Sequence, residues 1–314
     1  MSGRVRAQLN SSQLRNRLKL RSLASETKLL QAHPEAKKFY ERLGLRPGRI
    51  REHAARIMAS GALAGTLLLS AHSAVPVQGQ RGQLEAQKNE VVNLGVLQDQ
   101  LGKTLQEILP AVGNWVLNRD QEEKISEEIE KMYGVKAVAE LEGNRLNNSY
   151  GRMGAEQHLP RYPGDTVYEH RDLIEKGITP GLGGWGYFAP SRNQMTPELV
   201  ETEKWYVAVQ TLYLPDWNIR TEELAKWYKY RHVLVVNPAN GKAVVAAVAD
   251  AGPAAFTGKH FGGSPEMMQY LGINYGRQNH PVVLFFVNDP NKEIPLGPLE
   301  YNLEKNKEYL KSQV

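Results

Sequence analysis

The chain contains no cysteine in its 314 residues. This absence excludes disulfide frameworks, zinc sites built from thiolates, and cysteine nucleophiles. It fits a reducing compartment and also a bacterial cell surface, so it does not decide location. Hydrophobic residues make up 41% and charged residues 23% of the chain, which is ample material for one large or two modest domains.

Acidic residues are scarce at the N-terminus. Residues 1–56 contain 14 Lys or Arg against four Asp or Glu, a net charge of +10, so the rest of the chain carries −5. Aromatic residues that could stack on bases are limited there to Phe39 and Tyr40, and an apolar segment follows directly. We therefore expect no nucleic-acid partner and predict that residues 1–56 form a basic cytoplasmic arm near anionic lipid.

A segment without charges follows the arm, between Arg56 and Arg81. We assign residues 57–77 to a membrane anchor or a signal segment, because a span needs about 17–25 apolar residues and this one is marginal. Small residues flanking His72 resemble a cleavage site, but the long leader favours a retained anchor. We expect a membrane-anchored protein whose C-terminal domain is extracytoplasmic, or a secreted one if cleavage occurs near Ser73. A buried helix in a soluble protein is the alternative.

Residues 78–135 form a predicted helical region. Pro110 should kink or divide it, Asn118 to Asp120 marks a break and an N-cap, and Gly134 ends the second helix. Packing of this region on itself or on the following domain is favoured over a stalk that forms an oligomer, because the apolar stripe is short. The stripe consists of Leu94, Leu97, Leu101, Leu105, Ile108, Val112 and Val116.

Residues 136–180 are rich in Gly, Asn and Tyr, and we predict a polar connecting region whose charged residues are solvated or arranged around a site. Glu156 and His158 are two apart, which on a strand would place both on one face. That spacing suits a metal pair, but nothing nearby completes a recognised ligand set, so we expect no metal and no cofactor. A polar ledge beside a groove is favoured, with Glu142, Arg145, Glu156, His158, Arg161 and Asp165 as candidates.

From Gly181 the pattern changes to short strands. Residues 205–214, 232–237, 242–250 and 281–288 alternate or are apolar throughout, and Asn240-Gly241 predicts a hairpin. Ser264 and Pro265 open a short helix that ends at Gly272. Several strands with one short helix fit a small closed β-barrel over residues 181–290, followed by a charged C-terminal tail at 291–314 that we expect to be a solvated helix.

These residues resemble the double-psi β-barrel of rare lipoprotein A and the expansins. Asn240-Gly241, then Asp250-Ala-Gly-Pro253, then Leu271-Gly272 follow the order of that family, and Gly183–Ala189 looks like its first strand. The resemblance covers about a third of the chain. It implies an α+β protein: an N-terminal helical region with a membrane segment, then a C-terminal six-stranded double-psi β-barrel.

The resemblance also implies a function. Asp250 would be the catalytic acid/base of a lytic transglycosylase, in which the muramic acid 6-hydroxyl attacks internally and one carboxyl suffices. The chain departs from the family because Ala249 and Ala251 replace an Asn and an Arg, and a His-Gly-Arg segment is missing. The expected substrate-binding residues are Trp185, Tyr187, Ser191, Arg192, His260, Glu156, His158 and Asp165.

The expected partner is peptidoglycan or another cell-wall polysaccharide. Two alternatives stay open: a non-catalytic, expansin-like module that binds the wall through aromatic faces, and a structural envelope protein that assembles through the helical region.

Overall fold

The computed structural model describes residues 78–273 and 280–313. The basic arm and the assigned anchor at residues 57–77 lie outside the described residues. Within the described ranges, no helix is long and apolar enough to cross a bilayer. The chain divides after Val91 into two compact units, and the second, Val92–Val314, contains all of the described strands.

Two helices precede the barrel: α1 is Gln78–Ile108 and α2 is Arg119–Tyr133. The Asn118 side chain accepts a hydrogen bond from the Gln121 backbone, and the Gln121 side chain accepts one from the Asn118 backbone. This reciprocal capping box satisfies two N–H groups at the start of α2. Gly134 ends the helix with φ of 75°. The predicted break and both predicted boundaries of α2 are confirmed.

Pro110 divides the helical region, as the sequence predicts. Helix α1 stops at Ile108, because proline lacks a donor and restricts the residue before it. Val112 and Val116 are 62% and 74% exposed in the connection that follows, so extending the apolar stripe to them is wrong. The part of the stripe on α1 is buried at Leu97, Leu101 and Leu105.

Short strands follow the two helices. Two of them form a separate hairpin, and two others extend the main sheet at its margins. In chain order the strands are β1 (Ala137–Val138), β2 (Glu140–Leu141), β3 (Asn144–Arg145), β4 (Tyr150–Ala155), β5 (Tyr206–Val209), β6 (His232–Val236), β7 (Ala243–Asp250), β8 (Phe261–Gly263), β9 (His280–Val287) and β10 (Gly297–Leu299).

Six of these strands close into a mixed β-barrel, in an α+β arrangement. Around the ring, β4 pairs with β8, then β5, β7, β6 and β9 follow, and β9 returns to β4. The pairs β4–β8 and β5–β7 are parallel, and the other four pairs are antiparallel. Outside the ring, β1 pairs with β9, β10 pairs with β7, and β2 pairs with β3.

Alternate residues of the strands face two different cores. One face of all six barrel strands meets inside the barrel, where Met153, Val207 and Phe261 pack together. The opposite face of β6, β7 and β9 packs against α1 and α2, so that Leu234 belongs to the same cluster as Leu101. Apart from their end residues His232, Asp250 and His280, these three strands are apolar because both of their faces are covered. The apolar stripe on α1 is therefore buried against strands of the same chain.

Four shorter α-helices and several 3-10 turns complete the described part of the chain. The α-helices are α3 (Pro197–Lys204), α4 (Thr221–Tyr228), α5 (Pro265–Tyr270) and α6 (Lys307–Lys311). Helix α5 begins where the sequence predicts, because the Ser264 side chain accepts a hydrogen bond from the Met267 backbone and Pro265 occupies the first helical position.

The predicted limits of the barrel need correction. Its first strand is Tyr150–Ala155, inside the predicted connecting region and before Gly181, while Gly183–Ala189 forms a loop and not a strand. The tail is not a solvated helix, because β10 pairs with β7, and Tyr301 and Leu310 are buried.

Candidate functional site

Asp250 is the last residue of β7, and a bulge sets its direction. Val207 pairs with Val248, but the next residue of β5, Ala208, pairs with Asp250, so β7 carries one extra residue there. A bulge of this kind turns the following side chain and is frequent beside functional sites. It brings Asp250 into one row with Ala208 on the outside of the barrel.

Hydrogen bonds from the described residues reach only one oxygen of the Asp250 carboxyl. Its Oδ1 atom accepts hydrogen bonds from Gly184 N at 2.7 Å and from Ala251 N at 2.8 Å. Within residues 78–273 and 280–313, no hydrogen bond reaches its Oδ2 atom. Burial raises the pKa of Asp250 above its ordinary value, and the two backbone donors oppose that rise without cancelling it. The half-buried carboxyl therefore retains a proton to higher pH than an exposed one.

The loop after Pro180 reaches Asp250 because two of its glycines, Gly183 and Gly184, allow close contact with β7 and the residue after it. A methyl group on Gly183 would lie 2.8 Å from the Ala249 carbonyl oxygen, and one on Gly184 would lie 2.7 Å from Ala251 Cβ. Only glycine permits such close approach of two backbones. The segment that resembles a first strand instead supplies a donor to the carboxyl.

A row of small residues leads from Asp250 across the outside of the barrel. Gly154, Gly262, Ala208 and Asp250 are aligned on β4, β8, β5 and β7, and we call them the outer row. Their neighbours in the strands, including Val207 and Phe261, face the interior. Gly154, Ala208 and Gly262 are buried under other side chains, and Asp250, at the end of the row, is partly exposed.

Glu156 and Lys259 cover the other end of the outer row. The Glu156 carboxylate lies against Gly262, and the Lys259 stem lies against Gly154. A methyl group added to either glycine would lie only 2.4 Å from the side chain that covers it. Lys259 Nζ is 3.2 Å from Glu156 Oε1 and donates to the Ala155 carbonyl at 3.1 Å. Burial raises the pKa of Glu156; Lys259 opposes this, and the charge of Asp250 adds to it.

The other predicted binding residues are dispersed. Trp185 donates to the Ala225 carbonyl at 2.8 Å and packs against the barrel core, whereas Tyr187 is 38% exposed. His260 accepts from the Arg152 backbone at 3.0 Å, and its ring lies 5.4 Å from that of Trp115. Ser191 donates to Gln194 and Arg192 pairs with Glu169, so neither contacts Asp250.

Glu142 and Arg145 are also engaged elsewhere. Glu142 accepts from Trp227 at 2.8 Å, and Arg145 pairs with Glu122 at 2.6 Å. Both residues lie on the β2–β3 hairpin or its turn, so the predicted ledge does not form as one surface.

His158 and Asp165 belong to a buried polar cluster and do not reach the outer row. His158 Nδ1 is 3.5 Å from Glu203 Oε1, His170 Nδ1 is 3.2 Å from Glu203 Oε2, and His170 Nε2 is 3.0 Å from Asp165 Oδ2. Arg161 also pairs with Glu203, at 2.7 Å. All these side chains are at most 8% exposed.

The electrostatics of this cluster are dominated by Glu203, on α3. Burial opposes ionisation, but the close contacts with His158 and His170 and the charge of Arg161 outweigh it and lower the pKa of Glu203 to about 2. Burial also lowers the pKa of His158, but the close contact and the charge of the Glu203 carboxylate together outweigh burial, so the net shift is upward. Among the described residues, His158, His170 and Glu203 form the group that could hold a metal ion.

The sequence motifs do not indicate Lys259, His170 or Glu203. Glu156 and His158 do not share a strand face, because β4 ends at Ala155 and the chain then turns inward.

A cavity of about 420 Å³ lies beside the buried polar cluster and is lined by Arg161, His170 and Glu266 among others.

No protein-family model matches the chain, and no curated protein matches it significantly.

Proposed function

We propose that this protein cleaves peptidoglycan glycan strands as a lytic transglycosylase, on a double-psi β-barrel of the rare lipoprotein A and expansin kind. The closed six-stranded barrel, with its two parallel strand pairs, supports this topology. So does the order of the Asn240-Gly241 turn, the Asp250 turn and the short helix α5. The observation that carries the activity is the Asp250 carboxyl, half-buried, of raised pKa and with one oxygen free of partners among the described residues.

The chemistry needs one group that gives and then takes a proton. Protonated Asp250 donates to the glycosidic oxygen as the bond from C1 of muramic acid breaks. The resulting carboxylate then removes the proton from the 6-hydroxyl, whose oxygen bonds to C1 and closes a 1,6-anhydro ring. Atoms and charge balance without water, and the enzyme returns to its protonated form. Such acid–base catalysis is typically worth about 10²–10⁴-fold in rate.

Glu156 and Lys259 suit a binding role in this proposal. Their side chains cover Gly262 and Gly154, so the hydroxyl and amide groups of an extended polymer bound beside Asp250 would meet a carboxylate and an ammonium group. We further propose, from the charge asymmetry of the sequence, that residues 57–77 anchor the protein with the barrel outside the cytoplasm.

The direct test uses the full-length protein, in mild detergent, with purified sacculi. We expect the wild type to release soluble 1,6-anhydro-muropeptides, identified by mass spectrometry, and Asp250→Asn to reduce that rate by about 100-fold or more. Asp99→Asn is the matched control, because Asp99 is exposed on α1. Equal product formation by the wild type and Asp250→Asn would remove Asp250 from the mechanism.

Binding without cleavage is the second candidate, and an exposed apolar group favours it. Phe256 is 93% exposed, Leu212 is 55% exposed and Tyr213 is 49% exposed, on the segments that follow β7 and β5. The Ala255 backbone donates to the Tyr213 hydroxyl at 3.1 Å, which joins the two segments. Exposed rings of this kind offer faces for sugar stacking.

Co-sedimentation with sacculi tests this candidate. We expect the double variant Tyr213→Ala/Phe256→Ala to lose about 10-fold or more in affinity, because it removes two stacking faces, and stacked aromatic pairs contribute about 0.5–1.5 kcal/mol each beyond their buried area. Tyr168→Ala, at a residue 78% exposed on another segment, should bind as the wild type does. Binding by the wild type with no soluble product would favour a wall-binding module over the enzyme.

A further inference from the structure

The buried cluster of His158, His170 and Glu203 has an arrangement that its own hydrogen bonds do not explain. His170 Nε2 lies 3.0 Å from Asp165 Oδ2, and His158 Nε2 lies 3.4 Å from the Leu173 carbonyl oxygen. A carboxylate and a carbonyl only accept hydrogen bonds, so both Nε2 atoms carry protons. The two Nδ1 atoms are then the free positions of the rings.

Both Nδ1 atoms face the same carboxylate. They lie 3.5 Å and 3.2 Å from the two Glu203 oxygens, the rings are 4.5 Å apart, and neither Nδ1 atom has a hydrogen-bond partner of normal geometry within the described part of the chain. A neutral imidazole would direct a lone pair at a charged oxygen. Such an arrangement is stable only when positive charge lies between the two groups, either as a proton on each ring or as a metal cation.

The spacing matches a cation. The candidate ligand atoms of His158, His170 and Glu203 all lie within 4.8 Å of one another. Zinc bonds of about 2.0–2.2 Å in tetrahedral geometry place neighbouring ligand atoms about 3.4 Å apart. The outer contacts also have the form found around zinc, in which each ligating histidine donates its other N–H to a carboxylate or a backbone carbonyl.

Charge and access are compatible with a divalent ion. Arg161 neutralises one charge of the Glu203–Asp165 pair through Glu203 Oε2, which leaves Glu203 Oε1 to accept from the Leu159 backbone at 3.1 Å and to face His158. The cavity of about 420 Å³ is lined by His170 and by Glu266, whose Oε2 atom is buried and has no hydrogen-bond partner among the described residues. Of the three candidate ligands, His170 is the one that lines this cavity, so the cavity reaches the cluster at that ring.

We propose that His158 Nδ1, His170 Nδ1 and the Glu203 carboxylate bind one divalent transition-metal ion, with Zn²⁺ the best match, and that Asp165 and the Leu173 carbonyl orient the two rings. The ion would join the segment after β4 to α3, which come from distant parts of the sequence. This site is separate from the outer row, and the proposal does not depend on glycan cleavage.

The test is zinc binding by the full-length protein after dialysis against a chelator. Calorimetry at neutral pH should show one Zn²⁺ per chain, and Zn²⁺ should raise the melting temperature by several degrees. We expect His170→Gln and Glu203→Gln to abolish stoichiometric binding. Asp165→Asn should weaken it by about 10- to 100-fold, because it removes only the partner of the His170 ring. His260→Gln and Glu222→Gln, which change the same residue types elsewhere, should bind as the wild type does.

A second measurement does not depend on the variants folding. Nitrogen NMR of the histidine side chains in the wild type should show the His158 and His170 Nδ1 signals move to metal-bound values when Zn²⁺ is added. A wild type that takes up no stoichiometric Zn²⁺ and shows both rings doubly protonated at neutral pH would overturn the proposal. So would binding that survives in both His170→Gln and Glu203→Gln.

Discussion

Two opposing effects act on the single carboxyl of Asp250. Burial destabilises the ionised form, and the backbone donors of Gly184 and Ala251 stabilise it, with burial the larger effect. Both donors reach the same oxygen, so the second oxygen stays available to a ligand. A carboxyl that is fixed in position but only partly stabilised as an anion can give up a proton and take it back.

The sign of the Asp250 pKa shift predicts how stability depends on pH. Because its folded pKa is raised above 3.8, the folded state retains a proton that the unfolded state has lost, so this group makes stability fall as pH rises through that range. Asparagine does not ionise, and its oxygen can still accept from Gly184. We therefore expect Asp250→Asn to gain free energy of unfolding relative to the wild type as pH rises from below 3.8 to neutrality.

Urea unfolding of both proteins across that pH range measures the difference. Other titrating groups, including Glu203, are present in both proteins and largely cancel. A difference that moved in the opposite direction would mean that the donors outweigh burial, and it would contradict the role of Asp250 as a proton donor.

The structural position of a single residue could be predicted from the sequence where its neighbours in the chain determine that position. Asp250 stands between an apolar strand and a Gly-Pro turn, so its place at the end of a strand could be predicted. The two-residue spacing of Glu156 and His158 could not predict that they belong to different sites. Because β4 ends at Ala155, one side chain points outward and the other inward. Glu203 lies on a helix remote in sequence, and only the tertiary fold brings it to His158.

Among the elements, the loop that contains Gly183 and Gly184 sets the geometry of the site. In Gly184→Ala, the new methyl group would meet backbone and Cβ atoms of Ala251 below 3.0 Å, so the loop must move away. We expect loss of the Gly184 donor to Asp250, at least a roughly 10-fold drop in anhydro-muropeptide release, and a stability cost of about 1–3 kcal/mol, typical of overpacking.

Gly181→Ala is the control for this loop, since its added methyl group would meet nothing closer than 4.0 Å. It should retain activity and stability. Wild-type activity in Gly184→Ala would show that the loop does not position Asp250.

Elements with local signals were predicted, and those defined by distant contacts were not. The Asn118 cap, the Gly134 terminus and the Ser264-Pro265 helix start are each encoded within a few residues. Strand β4 was missed because Gly151 and Gly154 interrupt its apolar pattern. These glycines are required by the side chains of residues 259 and 260 that lie against them, and those side chains come from more than a hundred residues away.

On the scale of the whole unit, the two helices and the barrel share one core. Leu97, Leu101 and Leu105 of α1 and Ile125 and Ile129 of α2 pack with residues of β6, β7 and β9. The sequence predicts the stripe on α1 and the apolar strands separately, but it leaves open whether the helices pack on themselves or on the barrel. Apolar residues on both faces of β6 and β9 were the available sign that the barrel needs a cover.

This shared core predicts that the helices and the barrel unfold together. Leu101 is fully buried between α1 and the strands, so Leu101→Ala should cost about 2–5 kcal/mol of unfolding free energy through lost contacts and a cavity. Val112→Ala, at a position 62% exposed in the connection after α1, should change stability by less than about 0.5 kcal/mol. Denaturation followed by far-ultraviolet circular dichroism and by tryptophan fluorescence should give coincident transitions, both shifted equally by Leu101→Ala. A shift of the circular dichroism transition alone, with the fluorescence of Trp205 and its neighbours unchanged, would mean that the helices fold independently of the barrel. The shared core would then not stabilise the barrel strands, including β7, which ends at Asp250.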